Sequence, residues 1–121
     1  MNNETFFFDT YAFFEIIRGN PKYKDYISSN IITTIFNIAE LNYNLKKERN
    51  KEIVNEITRK YHQFVVEITL EDIQVAMDLK INNKNFSIPD AIGYTVAKKY
   101  NVKFLTGDEG FKNMPSVEFV K

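Results

Sequence analysis

The sequence predicts an α/β fold in which a mainly parallel sheet is covered by helices on both faces. Short apolar runs alternate with longer segments of helical periodicity along most of the chain. Two of the helical segments open with capping-box signatures, TLED at 69–72 and SIPD at 87–90. Strands that alternate with helices are typical of a parallel sheet whose connecting helices lie on both of its faces.

The first half of the chain predicts two strands and two helices. The aromatic run TFFF at 5–8 indicates a buried strand, and a helix from Thr10 to Arg18 follows it. The sequence GNP at 19–21 ends that helix, and NII at 30–32 indicates a brief second strand. Thr33 or Thr34 then caps a helix that extends to about Lys47.

The second half predicts three helices and three strands. Residues 51–63 have one apolar face and form an amphipathic helix, and the two capping boxes begin helices that extend to about Ile81 and Tyr100. The β-branched run FVVEI is typical of a strand. The strands of this half are predicted at 64–68, 102–106 and 117–120.

Length and composition favour one folded, intracellular domain. A chain of 121 residues, 44% of them apolar, is long enough to bury a core as a single domain over 1–121. The formal net charge is zero, so overall charge does not indicate a nucleic-acid partner. Cysteine is absent, which excludes disulfides and thiolate chemistry. Because Asp9 interrupts the N-terminal apolar run, we expect no signal peptide or membrane span, and a cytoplasmic location.

Three aspartates stand where a parallel α/β fold gathers its functional groups. In such folds the C-termini of strands and the N-termini of helices meet at one edge of the sheet, where ligands bind. Asp9 ends the first predicted strand, and Asp108 follows the 102–106 strand in the stretch FLTGDEG. Asp90 lies in the first turn of the helix that leads into that strand. We therefore expect the three carboxylates to face the same edge.

Glu40 is the fourth candidate, about two turns or roughly 10 Å into its predicted helix. Its helical neighbours Phe36, Asn37, Tyr43 and Asn44 include no cation that would neutralise it. Four carboxylates without local cations repel one another, and a bound divalent cation removes that repulsion. Oxygen ligands favour Mg²⁺ or Mn²⁺ over Zn²⁺, and the chain has no Cys and only one His.

Each acid also has a purely structural alternative. Asp9 is placed to cap the helix after it, Asp90 belongs to a capping box, and Asp108 is a common turn residue. Glu40 has only a distant Lys or Arg as an alternative partner, so its position favours a functional role. A single metal site accounts for all four acids together.

These motifs resemble the PIN domain family and, within it, the VapC-type toxins of bacterial and archaeal toxin–antitoxin systems. The matching pieces are FFFDT near the start, NIAEL around Glu40, SIPDAIGYTVAKKYNVKFLTGDEGF and the closing VEFV. They lie in the family's order and span nearly the whole chain. The helix headed by an acid, followed by a strand that ends in Thr-x-Asp, is the most specific of them.

The resemblance implies a three-layer α/β/α sandwich and metal-dependent hydrolysis of RNA. It carries the roles of metal ligands and catalytic acids onto Asp9, Glu40, Asp90 and Asp108. Thr106 matches the family's Ser or Thr before the last acid, where its hydroxyl would position that carboxylate or a water. Metal ions, Mg²⁺ or Mn²⁺, would activate water as the nucleophile and neutralise charge on the phosphoryl oxygens.

Other polar residues near these motifs receive weaker assignments. Thr10 offers a second hydroxyl beside Asp9, whereas Glu109 departs from the family pattern and is expected to be a solvated turn residue. His62 is expected to be structural or exposed. Two basic clusters are candidates for RNA phosphate contacts, with a solvated surface as the equal alternative: Lys46, Lys47, Arg49 and Lys51, and Lys98, Lys99 and Lys103.

The resemblance also implies partners. The leading hypothesis is a ribonuclease toxin that forms a homodimer and is inhibited by a small antitoxin protein covering the acidic site. One alternative is a housekeeping PIN nuclease in RNA processing or decay. The other is a PIN-like binding module that retains the acids without useful activity.

Overall fold

A four-stranded, all-parallel sheet forms the centre of the structure, a computed structural model that describes residues 4–121. The strands lie in the spatial order β2-β1-β3-β4. In the described residues the strands are β1 (Thr5–Phe8), β2 (Asn30–Ile32), β3 (Lys103–Thr106) and β4 (Val117–Phe119). The α-helices are α1 (Thr10–Arg18), α2 (Ile35–Lys46), α3 (Lys51–Tyr61), α4 (Leu70–Asn82) and α5 (Ile88–Lys99). Short 3₁₀ segments cover Pro21–Tyr26, His62–Phe64 and Glu109–Phe111.

Alternating side chains of the two central strands bury both faces of the sheet. Phe7 and Phe104, paired neighbours on β1 and β3, pack with residues of α4 and α5. Phe6, Phe8 and Leu105 point the other way and pack with residues of α1, α2 and α3. The sheet therefore lies between two helical layers, which confirms the predicted α/β/α sandwich with a parallel sheet.

Side-chain caps fix the N-terminal ends of the helices. Asp9 caps α1 and Thr34 caps α2, each by accepting a backbone N–H of the first turn. Thr69 and Ser87 begin α4 and α5 with the two predicted capping boxes. Because α1 and α5 begin beside the C-terminal ends of β1 and β3, their first turns lie at one edge of the sheet. Within residues 4–121, the helices are too short and too polar for any of them to cross a membrane.

The predicted strand at 64–68 is wrong. Residues 62–64 form a 3₁₀ turn, and only Val65 makes an isolated parallel bridge, to Thr33. The bridge stops there because Thr34, the next residue after Thr33, caps α2 and leaves the sheet. Val66 and Ile68 instead pack against the core on the α4–α5 side. The Val66 N–H still donates to the Thr33 carbonyl oxygen at 2.9 Å, but the pairing does not extend into a strand.

Candidate functional site

Asp9 is the buried centre of the predicted acidic site, with 3% of its surface exposed. Its backbone N–H donates to the Leu105 carbonyl oxygen at 3.1 Å, which ties the end of β1 to β3. Its Oδ1 accepts the Thr10 N–H at 2.9 Å, and its Oδ2 accepts the Thr106 hydroxyl at 2.7 Å. The carboxylate is therefore held by one hydrogen bond to each oxygen, and the capping role proposed for Asp9 is present as well.

The segment from Thr106 to Asp108 links the last residue of β3 to the second aspartate. Thr106 Oγ1 donates to Asp9 and also accepts the Asp108 backbone N–H at 3.1 Å, so one hydroxyl orients both acidic residues. Gly107 lies between them, where an added Cβ would come within 2.4 Å of both the Tyr11 ring and the Val120 carbonyl oxygen. Only glycine fits there, and this close approach sets the course of the chain into Asp108.

Asp108 is half-buried, and one of its carboxylate oxygens is engaged locally. Its Oδ1 accepts the Gly110 N–H at 3.0 Å and caps the 3₁₀ segment at Glu109–Phe111. The turn role that was its structural alternative is therefore present. Its other oxygen, Oδ2, accepts no hydrogen bond from the described residues.

Asp90 lies in the first turn of α5 and shows the same division between its two oxygens. Its Oδ2 accepts the Ser87 N–H at 2.9 Å, and the Ser87 hydroxyl accepts the Asp90 N–H at 3.1 Å. This is the predicted capping box. Oδ1 makes no hydrogen bond to a described residue, so the cap leaves one carboxylate oxygen available.

Glu40 lies in the second turn of α2 and is half-buried. Its side chain makes no hydrogen bond or ion pair with the described residues. It nonetheless stands close enough to Asp9 and Asp90 to raise the pKa of both. No neighbour among residues 4–121 holds its carboxylate in place.

The four acids are electrostatic neighbours, and the cation whose charge reaches one of them is Lys121, which interacts with Asp108. Burial raises the pKa of the Asp9 carboxyl to about 8, and the charges of Asp90 and Glu40 add to the rise against the Thr106 and Thr10 hydrogen bonds. Burial also raises the pKa of Asp90, with opposing bonds from Ser87 and further increases from Asp108 and Glu40. In residues 4–121 none of the four takes part in an ion pair.

The donor set fits a hard divalent cation. It consists of oxygens only, carries unneutralised negative charge, and includes free oxygens on Asp90, Asp108 and Glu40. The side chains do not enclose an ion as they stand, since among the described residues no three His, Cys, Asp or Glu are arranged to hold one. The fit therefore rests on chemistry and charge, and the assignment of metal ligands stays a prediction.

Comparison with known families agrees with this arrangement of motifs. The PIN domain family matches residues 6–117, which is nearly the whole chain. The chain belongs to the PIN domain family. No curated protein matches this PIN domain in sequence.

Three solved structures share the fold of this PIN domain at low sequence identity. A chain of a toxin–antitoxin complex from Klebsiella pneumoniae aligns with a TM-score of 0.71 and 19% identity, over 93% of this chain and 94% of that one. A chain of VapBC2 from Rickettsia felis, bound to a DNA fragment from their promoter, aligns with a TM-score of 0.69 and 16% identity, over 96% and 97%. A chain of VapBC-1 from nontypeable Haemophilus influenzae aligns with a TM-score of 0.73 and 11% identity, over 97% of both.

One polar residue at the site of the PIN domain was not singled out from the sequence. Asn37 is fully buried in the first turn of α2, one turn before Glu40, and its amide contacts Thr34 and Thr10. It had been considered only as an uncharged neighbour of Glu40. The signal that points to it is its place three residues after the N-cap Thr34, where a capping partner commonly stands.

The remaining polar candidates of the PIN domain lie away from the four acids or are solvated. Glu109 is exposed and pairs with Lys121 at 2.7 Å, as expected for a solvated turn residue. His62 is exposed at the end of α3. Lys98 and Lys99 lie at the C-terminal end of α5, eight and nine residues after Asp90, which is about 12 to 14 Å along the helix.

Proposed function

We propose that this PIN domain is a metal-dependent ribonuclease and the toxin of a toxin–antitoxin pair. One observation carries the nuclease proposal: the buried Asp9 carboxylate has Glu40 and Asp90 as charged neighbours and no cation among them. Asp9, Glu40, Asp90 and Asp108 would hold one or two ions of Mg²⁺ or Mn²⁺. When bound, such an ion activates water and neutralises negative charge that develops on phosphoryl oxygens.

The chain's own residues orient the carboxylates for that role. Thr106 and Thr10 fix the two oxygens of Asp9, so this side chain is positioned before any ion arrives. Ser87 holds one oxygen of Asp90 and leaves the other free. Glu40 is the least restrained of the acids and can turn toward an ion without breaking a hydrogen bond. The cluster of Lys46, Lys47, Arg49 and Lys51 forms no ion pair with the described residues and is the better candidate for contacts with RNA phosphates.

The second basic cluster is the poorer candidate because two of its lysines already form ion pairs within the chain. Lys99 pairs with Asp72 at 3.1 Å, and Lys103 pairs with Glu118 at 3.6 Å. Both clusters include the C-terminal residue of a helix, Lys46 in α2 and Lys99 in α5, so the ion pairs are what separates them.

The nuclease proposal is tested with purified protein and a labelled RNA, in Mn²⁺ and in EDTA. We expect the wild type to cleave the RNA in Mn²⁺ and not in EDTA. In Mn²⁺, Asp90→Asn should cleave it at least about 100-fold more slowly than the wild type. Glu56→Gln is the control, since it removes an exposed acid of α3 that pairs with Arg59 and not with the cluster. Cleavage that survives both EDTA and Asp90→Asn would refute the proposed site.

The toxin role is supported by the three solved structures, all of which are toxin–antitoxin complexes that align over more than nine-tenths of both chains. We expect a short open reading frame directly upstream, and a small protein from it that binds this chain. Induced expression of the chain should stop growth, and co-expression of that protein should restore it. Growth arrest by the Asp90→Asn variant would show that toxicity does not depend on the acidic site. If the wild type does not arrest growth, the housekeeping nuclease is the favoured alternative.

A further inference from the structure

A buried amide bridges the helix that carries Glu40 and the strand end that carries Asp9. Asn37 has no exposed surface, and both ends of its side-chain amide are used. Its Oδ1 accepts the Thr34 hydroxyl at 2.6 Å, and its Nδ2 donates to Thr10 Oγ1 at 3.1 Å. The Thr34 hydroxyl also accepts the Asn37 backbone N–H, so its proton goes to Oδ1. This arrangement fixes which end of the amide faces Thr10.

The bridge connects two of the predicted metal ligands through a short path. Thr10 follows Asp9 in the chain, and the Thr10 N–H donates to Asp9 Oδ1. Glu40 follows Asn37 by three residues and therefore projects from the same side of α2. The contact between Asn37 and Thr10 thus holds α2 at a fixed distance from Asp9. Glu40 has no side-chain partner of its own among the described residues, so the placement of α2 decides which positions its carboxylate can reach.

We propose that Asn37 is a positioning residue of the acidic site, which sets Glu40 opposite Asp9 through its hydrogen bond to Thr10. The inference rests on the proposed metal-dependent function and adds a residue to it. A buried amide is costly unless it is fully hydrogen-bonded, and an apolar side chain of similar size would fill the same space without that requirement. The contact with Thr34 serves the N-cap of α2, whereas the contact with Thr10 reaches the residue beside Asp9 and is the one that the positioning role explains.

Asn42, on the same helix, provides a matched control. Its Nδ2 donates to Asn55 Oδ1 at 3.2 Å and to Thr58 Oγ1 at 3.0 Å, so it ties α2 to α3. Like Asn37, it is an amide that reaches a threonine hydroxyl on a neighbouring element. Unlike Asn37, it makes no hydrogen bond to Thr10.

The test measures the affinity for Mn²⁺ from the rise in melting temperature as Mn²⁺ is added to the full chain. Asn37→Leu should weaken apparent Mn²⁺ affinity by about 10- to 100-fold, as for loss of a residue that orients a metal ligand. Asn42→Leu should lower the melting temperature in EDTA. It should leave the Mn²⁺ affinity within about twofold of the wild type, because the hydrogen bond between Asn37 and Thr10 is retained. A purely structural role of Asn37 predicts the same behaviour for both variants.

Variants at Thr10 keep the test decisive if Asn37→Leu does not fold. Thr10→Val removes the hydroxyl that Asn37 reaches and should weaken Mn²⁺ binding, whereas Thr10→Ser retains the hydroxyl and should preserve it. The double variant Thr10→Val with Asn37→Leu should be no weaker than the worse single variant, because both remove the same bridge.

The outcomes separate this inference from the proposed function. A wild type that shows no Mn²⁺ response overturns the proposed metal-dependent function. A wild type that responds, with unchanged affinity in Asn37→Leu and Thr10→Val, overturns only the positioning role of Asn37.

Discussion

The substitution Asp9→Asn is expected to stabilise the metal-free protein at neutral pH. The Asp9 carboxyl has a pKa of about 8 in the fold, against an ordinary value of 3.8. The folded chain therefore keeps a proton at pH 7 that the unfolded chain has lost, and each pH unit of this mismatch costs about 1.4 kcal/mol. Over roughly three units, the cost has an upper limit of about 4 kcal/mol.

Asparagine removes this cost and retains both hydrogen bonds. Its Oδ1 can accept the Thr10 N–H, and its Nδ2 can donate to Thr106 Oγ1 in place of the hydroxyl's own donation. Because the folded protein relaxes around a charge, the gain should be smaller than the upper limit, at least about 1 kcal/mol. For a domain of this size that corresponds to about 4 °C in melting temperature.

The assay is thermal unfolding of both proteins in EDTA between pH 4 and pH 8. A raised pKa means that the folded state binds more protons than the unfolded state between the two pKa values, so the free energy of unfolding of the wild type falls as pH rises through this window. The variant lacks this contribution, and its advantage should be near zero at pH 4 and largest near pH 8. A variant that is less stable than the wild type at pH 8, or a difference independent of pH, would refute the reasoning.

Three further changes test the site and the fold around it. Thr106→Val removes the hydroxyl that orients Asp9 and accepts the Asp108 N–H. It should lower kcat/KM for RNA cleavage, measured from initial rates, by about 10- to 100-fold. A value within about twofold of the wild type would count against that role. Gly107→Ala places a Cβ against the Tyr11 ring and the Val120 carbonyl oxygen, and should lower both the melting temperature and the cleavage rate. An unchanged melting temperature would contradict the close approach of these groups to Gly107. Burial raises the pKa of Asp72, but hydrogen bonds from Thr69 and Lys99 outweigh that effect and leave the pKa below its ordinary value. Asp72→Asn should therefore lower the free energy of unfolding by about 1 kcal/mol at pH 7, and by progressively less below pH 4. Unfolding in urea at several pH values would check this.

Most of the fold could be predicted because local signals and the parallel architecture agree. The caps at Asp9, Thr34, Thr69 and Ser87 are chemical features of the sequence, and each begins a helix where it was expected. The run at 64–68 failed because a short β-branched segment does not reveal whether a strand partner continues beside it. Its neighbour Thr33 turns into α2 after one bridge, and only the tertiary arrangement fixes that.

The grouping of the acids could be predicted from topology, whereas their finer geometry could not. The edge rule for parallel sheets brings Asp9, Asp90 and Asp108 together without any knowledge of side-chain positions. Glu40 was singled out by its lack of local cations, and its charge contributes to the raised pKa of Asp9. The bridge made by Asn37 depends on the distance between α2 and β1, which no sequence pattern encodes. Metal ligation by the acids stays a prediction.

The central claim is that the acidic cluster binds a divalent cation, and calorimetric titration of Mn²⁺ tests it most directly. Wild type and Asp9→Asn would be titrated at pH 7, with Glu56→Gln as the control for an exposed acid outside the cluster. We predict saturable binding by the wild type and by Glu56→Gln, with release of a proton because Asp9 is protonated before the ion binds. Binding to Asp9→Asn should be weakened by at least about tenfold. No saturable binding by the wild type, or equal affinity in Asp9→Asn, would contradict the claim.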